Sequence, residues 1–374
     1  MKKYLIQIFF LLYFLLDKLV LIPEIKYFLT DSLKSNPYQE TLDDIDPKEV
    51  GMFPVEGKKT AWVFGSSRSL PFYHVPNHLH TEVDRFTSLE EKSLVDSFEF
   101  FAFASPGSNP AVFFTRFTEL LERGMSPDLL LIETSAFGFN KNNRYTKYAK
   151  LEAISLPFVL KHLDSIPNEY IYDIITTRLF ATLRYRISRK AIEDNLSGKA
   201  KAEEAMIRLA TMNLDNQLSD IFSRKSKEVP RVYSESEFKD FSPLEEESDE
   251  LKLKIEISKK TIEKEFYNSF KQDESIWKFM EETLKKAKDR KIPVVLWIPK
   301  VHPELEKIHK KYKLEIIWKE RLKNLANRYD AVLVDFESDE KLKCERFSDI
   351  SHLSSRCYTE LSSVLLKKGA QQLK

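Results

Sequence analysis

Two short polar segments, far apart in the sequence, contain the residue types needed for nucleophilic catalysis. The segment Gly65–Ser69 follows an apolar run, and a serine on a tight turn after a strand is exposed at the edge of a sheet. Near the other end, Asp349 stands three residues before His352. A carboxylate at this spacing can orient one imidazole nitrogen, which leaves the other nitrogen free to accept a serine proton. Each segment alone is usually only a polar turn or an exposed loop, so the residue types permit this chemistry without assigning it.

Strands must position these segments, and the sequence predicts five of them. The apolar runs are short and continuous, which is typical of strands buried on both faces of a parallel sheet. Amphipathic helices are predicted between them, and this alternation predicts an α/β fold whose ligand site lies at the carboxyl ends of the strands. The predicted strands are Ala61–Phe64, Phe98–Ala104, Leu129–Ile132, Pro293–Ile298 and Ala331–Val334. The helices predicted around them cover 110–123, 275–290, 303–328 and 355–367.

About 160 residues separate the third and fourth predicted strands, far more than a simple crossover needs. Their helical patterns indicate an inserted subdomain, so the α/β domain is predicted in two parts. The predicted organisation is an N-terminal segment 1–22, a linker 23–58, the first α/β part 59–140, a helical insertion 141–290 and the second α/β part 291–374.

The first 22 residues begin with two lysines, continue with an apolar run from Tyr4 to Leu16, and end apolar after Asp17 and Lys18. No small-x-small cleavage pattern follows them. The stretch from Tyr4 to Ile22 nearly reaches the ~20 residues of a membrane helix. It predicts an uncleaved hydrophobic anchor with its basic end in the cytoplasm and the body outside. The alternative is a buried amphipathic helix.

Composition restricts the partners and cofactors. The 59 basic and 58 acidic residues give a net charge of +1, which argues against nucleic acid as the main partner. The two cysteines exclude a disulfide-dense scaffold and a four-cysteine zinc site. His74, His78 and His80 are close in sequence, but Pro76 interrupts the stretch and no helix aligns them. We therefore predict no metal and no cofactor.

The two polar segments together resemble the SGNH, or GDSL-type, hydrolase superfamily. Its members have a flavodoxin-like three-layer α/β/α fold, a G-D-S block after the first strand and a D-x-x-H block near the C-terminus. Gly65-Ser66-Ser67 stands in the place of the first block, with Ser66 replacing its Asp, and Asp349 and His352 match the second. The resemblance implies acyl transfer through a Ser67–His352–Asp349 triad.

The same resemblance indicates the oxyanion donors. Gly107, after the second strand, stands where the family has a glycine whose N–H points at the oxyanion. Ser135, after the third strand, replaces the family's asparagine, whose side chain donates to the same oxygen. Arg68 is expected either to hold a polar or anionic substrate or to form an ion pair. His302 is expected either to line the substrate pocket or to cap a strand.

A narrower likeness, based on architecture, is to membrane-anchored bacterial SGNH-like proteins of cell-envelope acylation. It implies an inner-membrane anchor, a periplasmic body, and an esterase or O-acyltransferase acting on acyl groups of an envelope glycan or lipid. The alternative is a catalytically degenerate scaffold that binds a glycan or a membrane acyltransferase partner. In an oxidising compartment Cys344 and Cys357 would form a disulfide, and otherwise they are two separate buried thiols.

Overall fold

The computed structural model of the chain divides into two compact units, one from 1–44 and 151–227 and one from 45–150 and 228–374. Outside the residues it describes lie much of the predicted linker, the histidines His74, His78 and His80, and positions 199–248 of the predicted insertion. The described residues are 2–22, 25, 28–29, 56–73, 87–104, 107–143, 154–185, 187–198 and 249–372.

The second unit is built on a five-stranded parallel sheet, which confirms the predicted α/β fold class with five parallel strands. The strand order is β2-β1-β3-β4-β5, so β1 lies between β2 and β3. Phe64 of β1 pairs with Phe103 of β2 and with Ile132 of β3, which brings the ends of the three strands to one edge. The strands are β1 Lys59–Gly65, β2 Phe98–Ala104, β3 Leu129–Glu133, β4 Val294–Ile298 and β5 Val332–Asp335.

Helices and short helical turns connect the strands and form the other unit. The α-helices are α1 Lys2–Lys18, α2 Leu89–Asp96, α3 Pro110–Glu122, α4 Leu156–Lys161, α5 Asn168–Leu179, α6 Ala181–Tyr185, α7 Arg189–Leu196, α8 Asp249–Ile262, α9 Glu274–Asp289, α10 Pro303–Lys311, α11 Glu320–Arg328 and α12 Tyr358–Ala370. The short turns are 3-10 turns over Leu19–Leu21, Ser67–Tyr73, Ala136–Phe139 and Ser355–Cys357, and π turns over Glu263–Tyr267 and Glu315–Lys319.

Both faces of the sheet are covered because successive side chains of each buried strand point to opposite sides. On one face Val63 and Leu131 share a core with Val95 of α2 and Leu365 of α12. On the other face Trp62 and Phe64 pack edge-on against Phe117 of α3. Continuous apolar runs therefore gave correct strand positions, since neither face needs polar side chains.

Two predicted boundaries differ from the structure. Helix α9 packs against α3 of the α/β unit, through ring contact between Phe279 and Phe114, although the predicted insertion included it. The single helix predicted over 303–328 is instead α10, a π turn and α11. Lys313 interrupts it with a φ of +53°, in the left-handed region that no continuous helix allows.

In the first unit, α1 ends at Lys18 and is shorter than the continuous apolar helix predicted up to Ile22. A 3-10 turn over Leu19–Leu21 follows. Near this end the side chain of Asp17 is 2% exposed and accepts hydrogen bonds from the backbone of Ala181 and Thr182 at 2.7 and 2.8 Å. Within the ranges that the structure describes, no helix has the length and apolar character needed to cross a membrane.

Candidate active site

Ser67, His352 and Asp349 form a continuous hydrogen-bonded array. Ser67 is the first residue of the turn that follows β1, and its Oγ lies 2.8 Å from Nε2 of His352. Nδ1 of the same ring lies 2.7 and 2.9 Å from the two carboxylate oxygens of Asp349. These distances are in the range of strong hydrogen bonds. The structure thus brings together residues that are 285 positions apart in the sequence.

Asp349 is held as a carboxylate. Its Oδ1 accepts the backbone N–H groups of Ser351 at 2.7 Å and His352 at 2.9 Å. Burial raises the pKa of Asp349, but the hydrogen bonds and charge of His352 and these N–H groups outweigh it, so the pKa lies well below its usual value. A carboxylate at this position favours the proton on Nδ1 of His352, which leaves Nε2 to accept the Ser67 hydroxyl proton.

The loop that carries Asp349 and His352 is fixed at its base. Cys344 and Cys357 form a disulfide that closes the segment around both residues, with a sequence separation of 13. The buried carboxylate of Glu360 accepts the backbone N–H of Cys344 at 2.9 Å. Inside the loop, the N–H of Ser348 donates to the carbonyl of His352 at 3.0 Å. These constraints hold the imidazole at a defined position relative to β1.

Glu133, at the end of β3, organises the turn that presents Ser67, a role that the sequence did not predict. Its side chain is 4% exposed and accepts from the backbone N–H of Ser66 at 2.8 Å and from the hydroxyl of Ser69 at 2.8 Å. The Ser66 hydroxyl donates to the other carboxylate oxygen at 2.6 Å. Burying a carboxylate requires such partners. The available signal was a single acid ending a run of four apolar residues, next to a Ser-rich turn on the neighbouring strand.

Arg68 forms an ion pair and also contacts a predicted oxyanion donor. Its Nε lies 3.1 Å from Glu133, and both side chains are nearly buried. Its Nη2 donates to Oγ of Ser135 at 3.0 Å. Since that hydroxyl oxygen accepts from a guanidinium, its own proton is free to be donated elsewhere. The structure therefore shows the ion pair considered for Arg68, and the role in holding a substrate stays a prediction.

Two glycines permit the turns at this edge of the sheet. A Cβ on Gly65 would lie 2.4 Å from Cβ of Ser69 and 2.7 Å from Oε2 of Glu133. No larger residue therefore fits at the start of the turn that carries Ser67. Gly107 has a φ of +74° and follows β2, which pairs with β1. That conformation is readily adopted only by glycine.

Other residues singled out in the sequence have structural contacts. The Nδ1 of His302 accepts the backbone N–H of Glu304 at 3.2 Å, so this histidine caps α10. Its backbone N–H donates to the carbonyl of Ile350, which attaches α10 to the loop that carries Asp349 and His352. Asn140 and Asn143, which follow β3 in the sequence, donate to the backbone carbonyls of Phe266 and Phe137.

A second array of a carboxylate, a histidine and a hydroxyl lies in the same unit. Nδ1 of His309 is 2.7 Å from Glu337, and Nε2 is 3.0 Å from the hydroxyl of Tyr267. Lys319 pairs with Glu337 at 3.1 Å and with Asp335 at 2.9 Å. The sequence did not predict this array because its members are spread over 70 positions, and two of them stand in π turns, which no apolar periodicity predicts.

Among the residues that the structure describes, no cluster of three or more His, Cys, Asp or Glu is arranged to hold a metal ion.

Comparison with known proteins identifies a family but no characterised relative. No curated protein matches the chain. A family model does match, over residues 2–368, which is nearly the full sequence and includes both units and the array around Ser67. The chain therefore belongs to the family described as protein of unknown function (DUF1574).

Proposed function

We propose that this protein is a serine esterase or O-acyltransferase, with Ser67 as nucleophile, His352 as general base and acid, and Asp349 as the residue that orients the imidazole. The observation that carries the proposal is the 2.8 Å separation between Ser67 Oγ and His352 Nε2 within an array ending at a charged carboxylate. A degenerate scaffold has no need to keep this geometry. This distance, together with the partial exposure of Ser67 on the turn after β1, favours chemistry over the alternative of a binding protein.

The proposed reaction proceeds in two acyl-transfer steps. His352 Nε2 takes the proton as Ser67 Oγ attacks the ester carbonyl, and the C–O π electrons move to the oxygen. Collapse of the intermediate breaks the bond to the alcohol, which leaves with the proton from His352. Water or an acceptor hydroxyl then attacks the acyl-Ser67, with His352 again removing a proton, and the serine is regenerated. Asp349 stabilises the imidazolium formed in each step.

Oxyanion stabilisation is the part of the mechanism in which this sequence departs from the SGNH pattern. The proposed donors are the backbone N–H groups of Ser67 and Gly107 and the hydroxyl of Ser135. A hydroxyl has a shorter reach than the family's asparagine side chain. In this protein the guanidinium of Arg68 donates to Ser135 at 3.0 Å, which polarises its O–H bond. Arg68 thus supports Ser135 as an oxyanion donor.

The topology supports the proposed kinship with SGNH hydrolases. The order β2-β1-β3-β4-β5 is that of flavodoxin-like folds, in which the ligand site lies at the carboxyl ends of β1 and β3. Ser67 follows β1, and Ser135 follows β3. The array therefore lies where the order of such sheets reverses, which is the expected place for a ligand.

The experiment that tests this function is covalent labelling of the full-length protein with a fluorophosphonate, followed by intact mass and peptide mapping. We expect one adduct per chain, on Ser67, and none in Ser67→Ala. Ser97→Ala is a matched control, because it removes an exposed hydroxyl that follows α2 and donates to the carbonyl of Leu94, outside the array. Absence of an adduct on Ser67, in protein whose circular dichroism and unfolding transition show a folded state, would contradict the enzyme proposal.

We also propose that the body lies outside the cytoplasm, in the periplasm, attached to the inner membrane through α1, and acts on envelope glycan or lipid acyl groups. The disulfide supports an oxidising compartment. Phe9, Phe10 and Leu12 of α1 are more than half exposed, so this helix offers apolar side chains to a lipid phase. Carbonate extraction of membranes, with protease digestion of intact and lysed spheroplasts, tests both points. Recovery in the soluble fraction would contradict attachment, and protection until lysis of the inner membrane would contradict the location.

A further inference from the structure

The hydroxyl of Ser351 lies between the carboxylate and the imidazole of the Ser67 array. Its Oγ is 3.1 Å from Oδ1 of Asp349 and 3.0 Å from Nδ1 of His352. Both distances are in the range of ordinary hydrogen bonds. The two acyl-transfer steps proposed for Ser67 give this side chain no role, although it contacts both of the groups that prepare the nucleophile.

The direction of each hydrogen bond follows from the chemistry of the three groups. A carboxylate only accepts, so the Ser351 O–H donates to Oδ1 of Asp349. In the tautomer proposed for His352, Nδ1 carries the proton and only donates. The Ser351 oxygen therefore accepts from Nδ1–H, which it shares with Oδ2 of Asp349 at 2.7 Å. The hydroxyl, the carboxylate and the imidazole N–H thus form a closed ring of hydrogen bonds.

The two carboxylate oxygens of Asp349 have different partners as a result. Oδ1 accepts the N–H of Ser351 at 2.7 Å, the N–H of His352 at 2.9 Å and the Ser351 hydroxyl at 3.1 Å. An ionised carboxylate has about two lone-pair sites on each oxygen, so these donors occupy Oδ1. Oδ2, which is the oxygen closer to Nδ1, is then the acceptor for the imidazole N–H.

Packing alone does not fix this arrangement, because the side chains of Asp349 and His352 are both partly exposed. A partly exposed carboxylate can rotate toward water unless hydrogen bonds hold it. The two backbone N–H groups hold the carboxylate only. The Ser351 hydroxyl is bonded to the carboxylate and to the imidazole, and it therefore restrains one group relative to the other.

We propose that Ser351 is a positioning residue of the Ser67 centre, which holds the imidazole of His352 at a fixed angle to the Asp349 carboxylate and so directs Nε2 at the nucleophile. The proposal rests on the proposed function, since it assumes that Ser67 reacts through His352. Its contribution is largest when His352 carries the proton taken from Ser67, because a charged ring makes Nδ1–H a stronger donor. The hydroxyl is therefore expected to affect kcat rather than KM.

Removal and restoration of the hydroxyl test this role. Ser351→Ala removes it, whereas Ser351→Thr keeps a hydroxyl on the same carbon. Hydrolysis of p-nitrophenyl propionate is measured with the full-length protein. We expect Ser351→Ala to lower kcat about tenfold, which is the usual cost of losing a hydrogen bond to a charged group. KM should change by less than about twofold, and Ser351→Thr should recover kcat to within about threefold of wild type.

The Nδ1 proton gives a second readout, which a general loss of stability does not reproduce. In proton NMR a strongly hydrogen-bonded imidazole N–H lies far downfield of the amide signals, and loss of the signal in His352→Asn assigns it to this ring. We expect Ser351→Ala to shift the signal and to broaden it through faster exchange with water, because Nδ1–H keeps only its bonds to Asp349. Ser351→Thr should restore the wild-type position.

Ser354→Ala is the matched control. It makes the same substitution in the same disulfide-closed loop, at a buried hydroxyl that has no hydrogen-bond partner among the residues that the structure describes. It should leave kcat and the Nδ1–H signal at their wild-type values.

The outcomes separate the role of Ser351 from the proposed function. If Ser67 reacts in wild type, then wild-type kcat in Ser351→Ala, or equal losses in folded Ser351→Ala and Ser351→Thr, would overturn the positioning role and leave the proposed function standing. If wild-type protein of verified fold neither hydrolyses the ester nor takes a fluorophosphonate label on Ser67, the proposed function fails, and the role of Ser351 fails with it.

Discussion

The α/β unit contains two arrays of a carboxylate, a histidine and a hydroxyl with similar hydrogen bonds and different surroundings. In the Ser67 array, the distances from His352 are 2.7 Å to Asp349 and 2.8 Å to the serine. In the Tyr267 array, the distances from His309 are 2.7 Å to Glu337 and 3.0 Å to the tyrosine. Hydrogen-bond geometry alone does not distinguish a nucleophile from a structural network.

The surroundings of the hydroxyl make the difference. Ser67 is half-buried, on a turn after β1, and is accessible from the edge of the sheet. Tyr267 is 3% exposed, and burial raises the pKa of its phenol far above the usual value, because an unsolvated phenolate is unfavourable. Lys319 further neutralises the carboxylate of this array at 3.1 Å. The Ser67 array can therefore develop charge in a reaction. The Tyr267 array instead holds its charges in fixed ion pairs.

The largest expected contrast comes from replacing the two histidines in the same way. His352→Asn removes the proposed base and should reduce kcat/KM for p-nitrophenyl propionate by about 10⁴–10⁶-fold. His309→Asn should reduce it by less than about tenfold, because His309 contacts Glu337 and Tyr267 and moves no proton in the Ser67 array. Both rates are measured on protein with a verified folded state. Equal losses in the two variants would mean that both histidines take part in the chemistry, and the distinction between a catalytic and a structural array would fail.

Sequence patterns predicted the first array and not the second, for a physical reason. Ser67, Asp349 and His352 stand at the ends of strands or in one loop, where local spacing and apolar runs fix their places. Tyr267 and Lys319 are brought together with His309 by packing of separate helices and two π turns. Such contacts depend on tertiary structure and leave no periodic pattern in the sequence.

The sheet was predictable for the same reason as the first array. Five continuous apolar runs gave five strands within a few residues of their ends. The break of the predicted helix at Lys313 was not predictable, since it depends on a left-handed backbone conformation that the apolar pattern does not indicate. Glu133 was predictable only in part. The sequence shows an acid at the end of the apolar run of β3, but it does not show that its partners lie in the turn after β1.

The disulfide offers a second way to distinguish the two arrays. It closes the loop that carries Asp349 and His352 and does not enclose the residues of the Tyr267 array. Cys344→Ser with Cys357→Ser releases a loop of 13 positions and should lower the free energy of unfolding by about 3 kcal/mol. Fluorophosphonate labelling of Ser67 should also slow, because His352 lies inside the released segment. Reduction by dithiothreitol should affect the wild type in the same direction and leave the double variant unaltered. An unchanged urea midpoint in the double variant would remove the support assigned to the disulfide.

The smallest effect concerns the Tyr267 array and its acid dependence. Burial raises the pKa of Glu337, but the hydrogen bond and charge of His309 and the charge of Lys319 outweigh it and lower the pKa from its usual 4.5 to about 2. A carboxyl that is more acidic in the folded state stabilises the fold above its unfolded pKa. That contribution is lost as the pH falls from about 4.5 to about 2. Glu337→Gln should therefore be less stable than wild type at pH 7, by at most about 3 kcal/mol, and the difference should shrink as the pH falls through this window.

Glu304 provides a matched control for this prediction. Its pKa is also about 2, through hydrogen bonds from Lys259 and Lys307, but it lies at the surface. Solvent screens exposed ion pairs, so Glu304→Gln should change the free energy of unfolding much less than Glu337→Gln, although the two carboxyls have similar pKa values. Urea unfolding at pH 7, 4.5, 3 and 2 measures both variants. Equal pH-dependent losses in the two variants would mean that burial adds nothing to the strength of the Glu337 pairs.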